Sequence, residues 1–379
     1  MKKYTVIFTN ILVCLFLVIA VEKMAEIITF RKFRKVAQNE RYICLREHKP
    51  NSIIDIEPLP PEPFPFIKSD TLHTVLRTDE NGFIVSKNNS SSSDIKLFFL
   101  GGSTTECLYN DENKRFPELT ARILEKKINK KINSYNCGTG GSNSLHSLNI
   151  LINKVVPQHP DYAFLMHNIN DLVTLCYLGS YWTENNVRAN INSYGYYLED
   201  FLPNPKNNIL LPNLRFLLNK DNIRVQDQFK GLRNKLISNQ IDSAIIITEF
   251  KQNLQMFVAT CKIHNIVPIL MTQANNFDAL DYTWFEKNNK INFDELGSGQ
   301  QIYFEKFTCM LKSFNIAIKE IAQENSCYLI DLDTAITEIK YFEDEVHYNN
   351  KGCEKVANCI ADYMFPIINK NSNAVSVNH

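Results

Sequence analysis

From Asp94 onward the chain repeats one pattern: a short apolar run, a turn rich in glycine or asparagine, then a stretch with helical spacing. Lys96–Leu100, Asn133–Asn136, Tyr162–Met166, Ile266–Thr272 and Cys327–Leu332 read as strands. Pro117–Lys127, Ser144–Lys154, Phe304–Asn325 and Lys351–Tyr363 read as helices. Alternation of this kind predicts a parallel sheet with helices on both faces, because each parallel connection needs a crossover and a helix supplies it. Ligands of such sheets bind beyond the carboxyl ends of the strands. Ser103, Gly141, Asn170 and His347 all fall just after predicted strands or in the loop before the last helix, so one rim collects them.

The residue types on that rim suit acyl chemistry. Gly101-Gly102-Ser103-Thr104 ends the first strand in a sharp turn, which lifts a serine above the sheet edge. Serine is a weak nucleophile without a neighbouring base, and the base needs an orienting acid. Asp344-Glu345-Val346-His347 has the spacing to supply both from one loop, the carboxylate taking the Nδ1 proton and leaving Nε2 for the serine. A developing oxyanion needs donors. The amide of Ser103 is one, a glycine amide at Gly141 (with Gly140 as alternative) is a second, and the Asn170 side chain of His167-Asn168-Ile169-Asn170-Asp171 is a third. Each motif alone has a plainer reading. Glycine-serine turns are common, Asn-Asp pairs cap helices, and Ser142 or Ser144 can cap the helix after Gly141. His167 at a strand end reads as structural, as do Asp331 and Asp333.

In this order the four blocks resemble the SGNH (GDSL-type) hydrolases, named for their Ser, Gly, Asn and His, over roughly residues 96–365. The lead-in from Leu76-Arg77-Thr78 to Asn81-Gly82-Phe83 is similar to that of membrane-anchored bacterial members. The resemblance implies a flavodoxin-like three-layer α/β/α sandwich. It also implies an ester hydrolase with Ser103, Asp344 and His347 as catalytic residues, Ser103, Gly141 and Asn170 as oxyanion hole, and neither cofactor nor metal. Two positions depart from the family pattern: Gly102 replaces the aspartate of Gly-Asp-Ser, and Asn168 replaces the first glycine of Gly-x-Asn-Asp. The expected substrate is a short acyl (O-acetyl) ester of a surface glycan or a lipid. An O-acyltransferase using the same serine, and a catalytically inactive glycan-binding or assembly factor, are the alternatives.

Composition adds bounds. The 379 residues carry 41 Lys plus Arg and 41 Asp plus Glu, a balance that gives no support for a nucleic-acid partner. Residues 1–22 are expected to form an uncleaved signal anchor: Tyr4 to Val21 is uncharged and mostly apolar, bracketed by Lys2, Lys3, Glu22 and Lys23. Lys2 and Lys3 favour a cytoplasmic N-terminus, whereas Arg31, Lys32, Arg34 and Lys35 argue the reverse; the bulk is placed outside the cytoplasm, in the periplasm or at the cell surface. Residues 23–93 are expected to hold a juxtamembrane helix, a proline-rich spacer through Pro58–Pro65 and a small β-hairpin at Leu72–Val85. The hydrolase-like domain is expected over 94–368, interrupted by an insertion at about 179–241, and followed by a flexible tail at 369–379. The insertion reads as a lid, an acyl-binding wall or a structural excursion. The ten cysteines show no metal-binding spacing and read mainly as buried thiols.

Overall fold

The computed structural model describes residues 8–10, 12–13, 16, 41–43, 45–56, 74–85, 89–182, 191–193, 242–277 and 299–376. The strands among them are β1 (Arg41–Ile43), β2 (Ile53–Ile56), β3 (Thr74–Arg77), β4 (Ile84–Val85), β5 (Ile95–Gly101), β6 (Ile132–Asn136), β7 (Tyr162–Met166), β8 (Ile191–Ser193), β9 (Val267–Met271) and β10 (Tyr328–Ile330). The α-helices are α1 (Ser103–Glu106), α2 (Phe116–Ile128), α3 (Ser144–Ile150), α4 (Ile169–Leu178), α5 (Ser243–Ile263), α6 (Gly299–Glu324), α7 (Leu332–Ala335) and α8 (Asn350–Ser376). The chain divides into two compact units, Met1–Cys44 with Trp182–Val225, and Leu45–Tyr181 with Gln226–His379. In the first, β1 and β8 pair antiparallel. The second carries the α/β frame.

That frame is a six-stranded sheet in the order β10-β9-β7-β5-β6-β4, parallel except for its antiparallel edge strand β4. Numbered among themselves, the five parallel strands run 2-1-3-4-5, one of the two common doubly wound orders. The order reverses between β5 and β7, so a crevice opens there beyond their carboxyl ends. Ser103 follows β5 and Asn170 follows β7.

The strands are apolar because both faces are covered. Leu97 and Phe99 of β5, with Phe164 and Met166 of β7, pack in a cluster that includes residues of α2 and α8. Phe98, Leu100, Ala163 and Leu165 point the other way, into a cluster with residues of α3, α4, α5 and α6. Phe99 stacks on Phe164 at a centroid distance of 4.4 Å, and Phe98 stacks on Tyr135 at 4.4 Å.

Several elements differ from the sequence reading. The Leu72–Val85 segment is not a simple hairpin. Its turn is there, with Asp79 Oδ1 accepting from the amides of Asn81 and Phe83, but a single bridge joins Thr78 to Ile84. β3 pairs instead with β2, and β4 joins the main sheet at β6, since Phe83 and Ile84 bury their side chains there. The compact unit that carries the frame therefore starts at Leu45. The helix at Ser144 changes to a π turn at Leu151–Val155 before reaching Lys154's end of the segment. The last helix runs to Ser376 rather than giving way to a tail at 369, and Pro366 stands inside it. Burial of Met364 and Ile368 on either side of the proline keeps its apolar face on the core.

The juxtamembrane helix and the proline-rich spacer lie outside the described residues, as do most of the apolar run at Tyr4–Val21 and of the insertion. Among the described residues no helix is long and apolar enough to cross a membrane. The eight described cysteines form no disulfide.

Candidate active site

Two glycines place Ser103. A side chain on Gly101 would collide with Thr105 Oγ1 and lie 2.8 Å from the Met166 carbonyl oxygen of the adjacent strand. One on Gly102 would collide with Asn170 Nδ2. Glycine at 102 thus lets the Asn170 amide lie beside the serine's own backbone. Ser103 then opens α1, whose amides at Thr105 and Glu106 donate to the Gly102 carbonyl at 3.0 Å each.

The histidine arrives on a loop that its own acid shapes. Asp344 Oδ1 accepts from the amides of Val346 at 2.9 Å and His347 at 2.7 Å, the local turn for which aspartate is suited. Oδ2 is left facing His347 Nδ1 at 2.5 Å. Buried Phe342, Val346 and Tyr348 hold the loop to the core. Asn276, beyond β9, donates its backbone amide to the Glu345 carbonyl at 2.9 Å and its side chain to that of Asp344 at 3.2 Å. His347 Nε2 meets Ser103 Oγ at 2.8 Å across a separation of 244 residues. Ser103, His347 and Asp344 therefore form one continuous hydrogen-bonded chain.

The electrostatics of the pair are mutual. Burial alone would lower the His347 pKa, but the charge and hydrogen bond of Asp344, with Glu345 and Glu343 behind it, outweigh burial and raise it to about 9. Burial alone would raise the Asp344 carboxyl; His347 and the two amides outweigh it and hold the group below the usual carboxylate range. Glu345 is pushed up to about 7 by burial and by the neighbouring Asp344 charge. The His347 side chain keeps 31 % of its surface exposed.

A cavity of about 260 Å³ opens beside the serine, lined among others by Ser103, Glu106, Leu108, Tyr109, Glu343 and His347. Gly140 also lines it, and Gly141 follows in the left-handed region at φ +71°. Asn168 is turned away from this cavity. It is buried and donates to the Leu311 carbonyl and to Asn315 Oδ1, both at 2.8 Å. Its φ of −164° lies outside the left-handed region that favours glycine.

His167 stands apart from the serine. It is buried, with Nε2 2.7 Å from Ser147 Oγ and Nδ1 3.4 Å from Asp171 Oδ2, and burial lowers its pKa to about 3. Asp171 in turn accepts from the Ser144 amide at 2.8 Å and the Tyr181 hydroxyl at 2.6 Å, which ties the first turn of α4, where Asn170 sits, to the start of α3. Asp331 accepts from Thr272 Oγ1 at 2.8 Å and pairs with Lys319 at 2.7 Å, a structural role. Two residues beside the rim carried no functional reading in the sequence. Arg46 donates from Nε to the Gly140 carbonyl at 2.9 Å, and Glu106 pairs with His48 at 2.9 Å. Glu106 had one available signal, its position three residues after Ser103; Arg46 had none. Among the described residues no group of three His, Cys, Asp or Glu side chains is placed to hold a metal ion.

No family model matches the sequence, and no curated protein matches it. Solved structures similar to this chain include LAE5, an alpha/beta hydrolase enzyme from the metagenome of Lake Arreo, at 14 % identity and a TM-score of 0.41, covering 72 % of this chain and 95 % of that one. Axe2, an acetylxylan esterase from Geobacillus stearothermophilus, matches at 15 % identity and a TM-score of 0.40 with the same coverage. A protein described as a GDSL-like lipase from Parabacteroides merdae matches at 12 % identity and a TM-score of 0.41, covering 73 % and 98 %.

Proposed function

We propose that the chain is a serine ester hydrolase acting through an acyl-serine intermediate. The single observation that carries this is the chain of contacts from Ser103 Oγ to His347 Nε2 at 2.8 Å and from His347 Nδ1 to Asp344 Oδ2 at 2.5 Å. In its neutral form, which predominates above its pKa of about 9, His347 keeps its Nδ1 proton hydrogen-bonded to Asp344 and presents an unprotonated Nε2 to the hydroxyl. Ser103 Oγ attacks the acyl carbonyl as Nε2 takes its proton. The resulting oxyanion is received by the Ser103 amide, the Asn170 side chain and the Gly141 amide. His347 then returns the proton to the leaving alcohol, and the carbon–oxygen bond to that alcohol breaks. Water, deprotonated by the same nitrogen, attacks the acyl-serine and releases the acid.

The substrate we propose is a short acyl ester, O-acetyl above all, on a surface glycan or lipid. A cavity of about 260 Å³ supports this, being smaller than the roughly 300–1,000 Å³ of pockets that hold drug-sized ligands. We further propose that the chain is anchored by its N-terminal apolar run with the catalytic unit outside the cytoplasm, a reading supported by the sequence from Met1 to Lys35.

Hydrolysis of p-nitrophenyl acetate tests the chemistry. Ser103→Ala is expected to lose at least about a hundredfold in kcat, since removing a nucleophile from such a unit costs far more than a peripheral contact. A fluorophosphonate is expected to label the native protein at Ser103. Equal rates for native and Ser103→Ala protein would overturn the assignment.

A further inference from the structure

We propose that Arg46 is a positioning residue for the oxyanion hole, clamping the Gly140–Gly141 peptide so that the Gly141 amide faces the reacting oxygen. The inference rests on the serine-hydrolase reading and extends it to a residue outside the four motifs.

A peptide group is planar and trans, so the carbonyl of residue 140 and the N–H of residue 141 belong to one rigid plane and point in opposite directions. Whatever holds the carbonyl therefore aims the amide. Arg46 Nε donates to the Gly140 carbonyl at 2.9 Å. The guanidinium also lies close against the next residue: a Cβ on Gly141 would sit 2.8 Å from Nη2 and 3.3 Å from Cζ. Two consecutive glycines leave this peptide with little local preference of its own, and Gly141 sits at φ +71°. An external clamp supplies the missing constraint. A cationic donor on the carbonyl also polarises the peptide, which makes its N–H the stronger donor when negative charge develops on the substrate.

The clamp is itself held. Glu106, on the first turn after Ser103 and buried, lies near enough for its charge to favour the guanidinium, and its Oε1 is 2.9 Å from His48 Nε2. The strap that carries Arg46 is fastened on both sides: Leu45 packs on the core, Glu47 pairs with Lys154, and Thr78 Oγ1 donates to the Lys49 carbonyl at 2.7 Å. The His48 carbonyl also lies where a side chain on Gly82 would have to go. Arg46 thus reaches the rim from a fixed backbone, and little freedom is lost when it grips the turn.

The full chain carrying Arg46→Ala, and separately Arg46→Lys, is assayed on p-nitrophenyl acetate beside Ser103→Ala. Loss of one oxyanion donor costs about 10²–10³ in kcat, and misaiming one costs less, so Arg46→Ala is expected to fall by about ten- to a hundredfold in kcat with KM nearly unchanged. Methylguanidinium added to Arg46→Ala is expected to restore part of the rate, and none to Ser103→Ala. Should Arg46→Ala fail to fold, Arg46→Lys decides: a native melting temperature with lowered kcat at constant KM supports the clamp, and native kcat overturns it. Parallel loss of kcat, KM and melting temperature without rescue would also overturn it, as a purely structural role. Full activity in Arg46→Ala beside an inactive Ser103→Ala defeats the clamp alone; activity in Ser103→Ala defeats the reading beneath it.

Discussion

His347 is pulled in two directions. Burial favours the neutral ring, whereas Asp344 at 2.5 Å favours the imidazolium, and with Glu345 and Glu343 it prevails, bringing the pKa to about 9. A general base works only when unprotonated, so kcat/KM is expected to rise with pH and level off above about 9. Asp344→Asn removes the nearest negative charge. Since an adjacent opposite charge is worth about one to three pKa units, the acid limb of the pH–rate profile should move at least about one unit lower, even as the plateau rate falls. A profile whose limb stays in place would show that Asp344 does not set the charge of His347. The single residue also explains why aspartate suits position 344: one carboxylate oxygen shapes the loop and the other faces the ring.

At the scale of elements, the start of α8 positions the histidine. Asn349 Oδ1 accepts from the Gly352 amide at 2.9 Å, and Asn349 Nδ2 donates to the Lys340 carbonyl at 2.8 Å, joining the helix to the loop before His347. Gly352 is there for closeness: a side chain on it would collide with the Tyr341 carbonyl and lie 3.1 Å from Tyr348 Cβ. Alanine favours a helix interior over glycine by about 1 kcal/mol. Overpacking against backbone that cannot rotate away costs about 1–3 kcal/mol or more. The clash is expected to win, so Gly352→Ala should lower the melting temperature and, by shifting Tyr348, also lower kcat. Thermal unfolding with a parallel rate measurement checks it; a more stable variant would mean the helix start can move freely. Elements of this size were the most legible part of the sequence. Tyr162–Met166 emerges with the predicted bounds, and β5 differs from its predicted range by one residue at each end. Of the Leu72–Val85 hairpin the fold keeps the turn and one bridge, because period and turn residues announce a strand pair but not which neighbours the strands choose; burial of Phe83 and Ile84 sends β4 to β6.

For the molecule as a whole, the buried network at His167 links sheet to helix and makes acid stability a global property. In the unfolded chain a histidine binds its proton near pH 6.5, whereas His167 in the fold resists it down to about 3. Between those values the unfolded state holds more protons, so stability present above pH 6.5 is lost as pH falls, by up to about 1.4 kcal/mol per pH unit. His347, with its raised pKa, contributes in the opposite sense and only between 6.5 and about 9, so the two do not mask one another. Glu345, raised to about 7, binds its proton more readily in the fold over the same window and opposes this slope, so the His167 contribution is read as the difference between the native protein and His167→Gln. In urea unfolding at pH 6.5 and pH 5, His167→Gln, less stable at neutral pH, should lose less stability on acidification than the native protein; an equal change in both would place the titration elsewhere.

What the sequence by itself determined is local. Strand and helix periods, the glycine pair before Ser103 and the Asp344–His347 spacing all act within a few residues, where backbone geometry and burial leave few options. Tertiary structure decided the rest. The 2.8 Å contact between Ser103 and His347, the start at Leu45 of the compact unit that carries the frame and the grip of Arg46 on the Gly140 carbonyl join segments far apart in the chain. Such contacts leave no period or spacing in the residues between them, because they arise when whole faces are buried together and loops at one sheet edge are drawn to a common place.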